Sequence, residues 1–426
     1  MKLEFLSQDV RARKTIRTAE NLIILAVSLS LFGGRWISYI GLPSYHLFLV
    51  DILYFSGIFW LTCFQKTRNA FRSTFATTFT LSLFVFFQLL RNTDYSLITR
   101  LRDLIPYLYF FCTAVVVKKF PQEAWIRTIK SVRAATLLGA IWNDLVMLGL
   151  LHNINAPHQF AEVPIFSAKW DHAGFSICIG ILLWGAFPKA KLFENVPIQL
   201  FLAFSILLQY SRASYVGLFF TLLCIFFANW RRRYEKSNYK ARFLKTFLML
   251  IMVSIPFLAF IAPLFPENSA LSRIGVENVF SPSKVLQDTR NSGTASARIE
   301  AQKLLTDWLR KNDLEFYGAG PGREMIFESN AYRYLSGAID VRSPHSWLYG
   351  NLGRYGLLGL FLWHYLCFTY LRAQKKRLLF FQFPKNILIP IYVIALFGVI
   401  LEAPFGMLPF SFFLGGSHLL TLSSQE

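Results

Sequence analysis

Apolar residues in this chain recur in runs of about 16–22, each long enough to cross a hydrocarbon core as a helix rising 1.5 Å per residue. No other feature restricts the fold as much, because a segment without water around it must satisfy its backbone polar groups internally, and a helix does so within one run. The runs fall near 21–40, 47–64, 73–90, 104–117, 134–151, 172–187, 197–211, 213–229, 243–262, 346–370, 386–402 and 405–421. The expected fold is therefore all-α, a polytopic membrane protein with about 12 transmembrane helices. A soluble chain of 426 residues would carry far more charge than the 16% found here, and would not be 54% hydrophobic.

The positive residues orient the helices. A net charge of +20 in a soluble protein would point to nucleic acid; in a membrane protein the location of each lysine and arginine matters more than their sum, and no nucleic-acid partner is implied. The segments 1–20, 65–72, 118–133, 188–197, 230–245 and 371–385 hold 27 of the 44 lysines and arginines. The short loops between them, 41–46, 91–103 and 152–171, hold 0, 3 and 1. The alternation places the first set in the cytoplasm, and an even helix count returns the C-terminus there. The first run follows a basic segment and has no small-residue cleavage site after it, so it reads as an uncleaved anchor. All five cysteines, Cys63, Cys112, Cys178, Cys224 and Cys367, fall inside expected spans and imply no disulfide framework.

One connection is out of proportion. Residues 263–345 form an 83-residue stretch on the outer side, too long to be a passive link. The chain thus divides into spans 1–9 (residues 1–262), this large outer loop (263–345) and spans 10–12 (346–426). Within the loop, Ser296 begins an expected amphipathic helix to Lys311, with Ile299, Leu304, Leu305, Trp308 and Leu309 as its apolar residues. Gly318-Ala-Gly-Pro-Gly322 follows; it lacks the flanking elements and the Lys-Ser/Thr of a phosphate loop and reads as a turn.

Ionisable residues inside a membrane are costly enough to mark function or a specific pairing. Arg35, Asp51, Asp144, Arg212, Arg354 and Glu402 lie within spans or at their ends, all in the outer half beneath the large loop. Arg212 lies between two apolar runs, either as an interfacial arginine reaching for head groups or as a clamp for an anion, since a guanidinium binds phosphate through two parallel hydrogen bonds. Arg298, at the start of the loop helix, is open to the same two readings. His345 immediately precedes the tenth span, at the outer boundary, where an imidazole is suited to take a proton near neutral pH. Arg354 lies nine residues further, about 13 Å along a helix, and Asp144 at similar depth is its expected partner. Gly350, Gly353, Gly356 and Gly359 recur every three residues, a pattern that lets a neighbouring backbone approach.

Taken in order, Gln209-Tyr-Ser-Arg212-Ala-Ser, Ser296-Ala-Arg298-Ile-Glu, Gly318-Ala-Gly-Pro-Gly322 and Pro344-His345-Ser-Trp-Leu with Gly353-x-x-Gly356-x-x-Gly359 resemble the bacterial O-antigen ligase and polymerase superfamily. The matching segments run from about residue 200 to 370. The resemblance implies an inner-membrane glycosyltransferase with its active site facing the periplasm. Such an enzyme moves a glycan from undecaprenyl pyrophosphate onto a sugar hydroxyl with inversion, using no metal and no nucleotide or other cofactor. Its partners are the lipid-linked glycan, membrane lipid and a saccharide acceptor. That acceptor is the lipid A core for a ligase, the favoured reading, and another lipid-linked repeat unit for a polymerase. Carried over, Arg212 and Arg298 would hold the pyrophosphate, and His345 would act on the acceptor hydroxyl. Where many members have Pro-Asn, this chain has Trp170-Asp171-His172, and Asp171 and His172 are assigned no role. A transporter or flippase shares the topology but does not require the large loop with an Arg and a His at the helix mouths.

Overall fold

The computed structural model describes residues 2–34, 37, 40–42, 47–64, 68–116, 120–147, 170–186, 192–208, 212–234, 295–335, 342–373, 383–396, 400–402 and 404–416. They form thirteen α-helices and one minimal strand pair. The helices are α1 (Lys2–Gly33), α2 (Leu49–Phe64), α3 (Arg68–Leu89), α4 (Leu97–Val116), α5 (Gln122–Met147), α6 (Trp170–Ala186), α7 (Leu192–Leu208) and α8 (Arg212–Tyr234). They continue with α9 (Ala295–Lys311), the single turn α10 (Met325–Glu328), α11 (Trp347–Ala373), α12 (Phe383–Leu396) and α13 (Pro404–Gly416). The strands β1 (Gly41–Leu42) and β2 (Leu47–Phe48) pair antiparallel, with Gly41 opposite Phe48. The expected all-helical architecture is thus observed apart from this short pair. Among the described residues one stretch, Thr15–Gly33, is both long and apolar enough to cross a membrane, and six shorter helical stretches are apolar. The expected ninth span, 243–262, and the loop up to residue 294 lie outside the described residues, as does Arg35.

Two helices begin well before the hydropathy reading places them. The first was expected over 21–40 but runs from Lys2 to Gly33, because a polar segment propagates a helix as readily as an apolar one once backbone hydrogen bonds continue. It stops where Gly34 turns left-handed (φ 53°) and its N–H closes on the Ser30 carbonyl at 3.1 Å. The fifth, expected from residue 134, begins at Gln122 and carries its basic first half into the bundle. There Arg127 pairs with the buried Glu20 of α1, and Arg133 donates to the Leu183 carbonyl of α6 (Nη2 2.7 Å) while lying over the Trp184 ring.

A main core joins α1–α8 and α11–α13, with Trp125, Trp347 and Trp363 among its fully buried side chains. A second, smaller core belongs to the loop unit. There Ala301, Leu305 and Leu309 of α9 meet Met325, Ile326, Ala331 and Leu335, and Tyr349 and Leu352 of α11 close the cluster. The buried stripe of α9 is Ala297, Ala301, Leu305 and Leu309 at four-residue spacing. Ile299, expected on that face, is exposed.

α11 is broken at Gly356, whose φ of 65° and ψ of −163° are open essentially to glycine alone. The break frees backbone groups, and residues 315–320 take them up. The amides of Ala319 and Gly320 donate to the Gly353 and Arg354 carbonyls (2.7 and 2.8 Å), and those of Leu357 and Leu358 donate to the Glu315 and Phe316 carbonyls (both 3.0 Å). The glycine-rich turn is therefore spliced into a helix. A Cβ on Gly318 would overlap the Arg354 backbone, and one on Gly356 would overlap the Phe316 carbonyl.

Candidate active site

Residues 342–345 lead into α11 and are held at several points. Pro344 and Ser346 are buried, and the Ser346 carbonyl accepts the Gly350 amide at 2.8 Å, starting the helix. His345 between them is half-buried with φ +54°. A non-glycine residue in the left-handed region costs about 1–3 kcal/mol and persists only where its surroundings dictate it. Here those surroundings are an ionic knot drawn from three other elements.

At its centre is Asp103 near the start of α4, its side chain only 4% exposed. Its Oδ2 accepts from Arg342 Nη2 at 3.2 Å and from the Gly322 amide at 2.8 Å, and lies 3.6 Å from Arg354 Nε. Arg354 Nη1 donates to Glu402 Oε2 at 3.0 Å, and its Nη2 donates to the Arg342 carbonyl at 2.8 Å. Ser343 Oγ donates to the other Glu402 oxygen at 2.9 Å. Tyr355 completes the set by donating its hydroxyl to the Asp103 carbonyl. Two carboxylates thus face two guanidiniums, and the knot is close to neutral. Asp103 lies just outside the expected span 104–117. Burial pushes its carboxyl up, but Arg354, Arg342 and the Gly322 amide outweigh that and hold it below the ordinary carboxylate range.

The expected pairing of Arg354 with Asp144 is wrong. Arg354 does need a compensating charge at its depth, and it finds Asp103 and Glu402. Asp144 on α5 faces α7 and accepts from the buried Ser205 hydroxyl at 2.5 Å. The glycine-rich turn is clamped from α3's end as well. Arg91 donates to the Tyr317 and Gly318 carbonyls (2.6 and 2.7 Å), and Asn92 Nδ2 donates to the Ala319 carbonyl at 2.8 Å. The reading of Gly353 and Gly356 as helix-packing residues is thereby refined: the backbone that comes close is this turn.

Of the three expected site residues, two belong to one packed unit. Arg298 is half-buried in the first turn of α9, and α9 shares the smaller core with Tyr349 and Leu352, about one and two turns after His345. Arg212 is the first residue of α8, which packs on α12 and α6; α12 in turn packs on α11. The structure describes the position of Arg212 in the helix and not its side chain. His172 is buried against the Phe405 ring, with centroids 3.9 Å apart. Among the described residues no three His, Cys, Asp or Glu side chains gather as a metal site would require.

Asp103, Arg342 and Ser343 were not singled out from sequence. Asp103 follows two arginines in a short loop and looks like an ordinary boundary charge. The one available signal was Arg354 itself, a buried cation obliging some acid to approach it. Residues 198–364 match the family model described as O-antigen ligase, a segment that contains Arg212, Arg298, His345 and Arg354. No curated protein matches the chain.

Proposed function

We propose, for a chain that belongs to the bacterial O-antigen ligase and polymerase superfamily, that it transfers a glycan from undecaprenyl pyrophosphate to a sugar hydroxyl at the periplasmic face, with ligation to a lipid A core as the reading. Members are integral proteins of the bacterial inner membrane and glycosyltransferase-like enzymes acting on lipid-linked saccharides. The observation that carries the reading is His345: it lies in the matched segment, at the head of α11, with a strained backbone anchored on both sides. Strain of that kind accumulates where a side chain must point one way.

In the proposed reaction the acceptor hydroxyl oxygen attacks the anomeric carbon from the side opposite the pyrophosphate. The carbon–oxygen bond to phosphate breaks as the new glycosidic bond forms, and the configuration inverts. His345 takes the hydroxyl proton, and Arg212 and Arg298 stabilise the charge gathering on the departing pyrophosphate. The guanidinium fork suits two phosphate oxygens at once, whereas lysine offers a point charge. Arg354 is assigned no part in anion binding, since Asp103 and Glu402 already engage it.

The test is purified protein with lipid-linked glycan and acceptor, the product resolved by size. Arg212→Ala and Arg298→Ala are expected to abolish transfer at unchanged membrane abundance, with lysine rescuing only in part. His345→Ala should lose transfer and keep donor binding; near-normal product from it would remove the base. In cells lacking the protein, long glycans accumulating on the carrier indicate a ligase, and single repeat units indicate a polymerase.

A further inference from the structure

We infer that Asp103, Arg342, Ser343, Arg354 and Glu402 are positioning residues that fix the backbone of His345 and so aim its imidazole. The inference rests on the reading of His345 as the residue that takes the acceptor proton, and it assigns the knot a role beyond holding α4 against α11.

The geometry is specific to the segment that carries His345. Three bonds of the knot end on the two residues preceding Pro344. The Arg342 guanidinium is tied to Asp103, the Arg342 carbonyl to Arg354, and the Ser343 hydroxyl to Glu402. On the other side, α11 starts at Trp347 and its first backbone bond fixes Ser346. His345 is the residue left to connect two anchored ends, and it does so at φ +54°. Released from the upstream anchors, it would relax to negative φ, as non-glycine residues prefer. That rotation redirects the Cα–Cβ bond, and with it the ring. Arg354 acts from within the helix that His345 heads, one side of its guanidinium on a carboxylate and the other on the carbonyl of Arg342. Glu402 is the joint between that guanidinium and Ser343.

A knot that only held the fold together would lower abundance and leave the surviving enzyme working normally. The positioning role predicts something else, and Ser343→Ala separates the two because it deletes one hydroxyl and leaves both carboxylates paired with their guanidiniums. Ser343→Ala should lower kcat about tenfold with the KM for lipid-linked donor unchanged, the scale expected when a reacting group is displaced by a fraction of an ångström. Ser343→Thr, which keeps the hydroxyl, should restore most of it. In a His345→Ala background, the same Ser343→Ala change should cost nothing further in the residual turnover measured at long incubation. A tenfold loss that multiplies in both backgrounds would overturn the proposal.

A second readout does not depend on turnover. The chain has seven histidines, so the ring carbon signal of His345 can be assigned in detergent-solubilised, histidine-labelled protein as the one missing from His345→Ala. Ser343→Ala should shift that signal, and Ser343→Thr should return it. An unmoved signal in Ser343→Ala rejects the positioning role whatever the activity shows. If the signal moves while His345→Ala retains transfer, the positioning stands and the role of His345 as base falls.

Discussion

At the scale of single residues, the depth of Arg354 was legible from sequence and its partners were not. A cation nine residues into an apolar run has to be compensated, and that much needs no structure. Its partners come from α4 and from the turn at Ile400–Glu402, segments with no sequence spacing that ties them to α11. Removing the arginine leaves two buried carboxylates facing each other, so Arg354→Leu should lose about 3–5 kcal/mol in denaturant unfolding of the solubilised protein. Adding Asp144→Leu should contribute its own separate loss, since Asp144 bonds elsewhere; non-additivity of that pair, measured as a double-mutant cycle, would reinstate the pairing with Asp144. The acid dependence follows from Asp103. Its folded pKa lies below that of the unfolded chain, so its contribution is complete above the unfolded carboxylate value of about 3.9 and is lost as pH falls through the folded value. Melting midpoints of wild type and Asp103→Asn should therefore differ by a constant amount from neutral pH down to about 5 and converge only below about 4.

At the scale of elements, periodicity placed most helices well and misread the one that matters most. The boundaries of α2, α6 and α9 agree closely with the apolar runs and the amphipathic segment, because in each the pattern is carried by local residues. The tenth span looked like a continuous helix with glycines every third residue. Its break at Gly356 was hidden because the hydrogen bonds that make it affordable come from residues 315–320, about forty positions upstream. The same contact explains why both glycine-rich motifs occur: each supplies the close approach that the other requires. Gly356→Ala should cost at least about 1–3 kcal/mol from backbone strain alone, with further loss from overlap with Phe316. Ala at Leu357, next to the break but exposed and free of that constraint, should stay within about 0.5 kcal/mol of wild type. Thermal melts of the two variants in one detergent check the contrast; equal stability would mean that the break is not maintained in solution.

At the scale of the whole molecule, the proposed compartment of the site rests on the alternation of positive charge. The segments expected in the cytoplasm hold most of the lysines and arginines in a small part of the chain, and this bias is the strongest orientation signal a sequence carries. In the proposed orientation the α9–α10 unit, the glycine-rich turn and His345 lie on one side of the membrane, and the basic stretch after α8 on the other. α9, α10 and the start of α11 form a folded unit with its own buried cluster, joined to the bundle through α11. Orientation can be read residue by residue in a background with all five native cysteines replaced. New cysteines at Ser283, in the large loop, and at Asn330, a left-handed surface residue between α10 and the Ala331–Tyr334 turn, should react with a membrane-impermeant thiol reagent added to intact cells. One at Ser237, in the basic connection after α8, should react only after the cells are opened. Labelling of Ser237 from outside, with Asn330 protected, would invert the molecule. His345 would then face the cytoplasm, where ATP and nucleotide sugars are available, and a lipid-linked donor at the periplasmic face could no longer be its substrate.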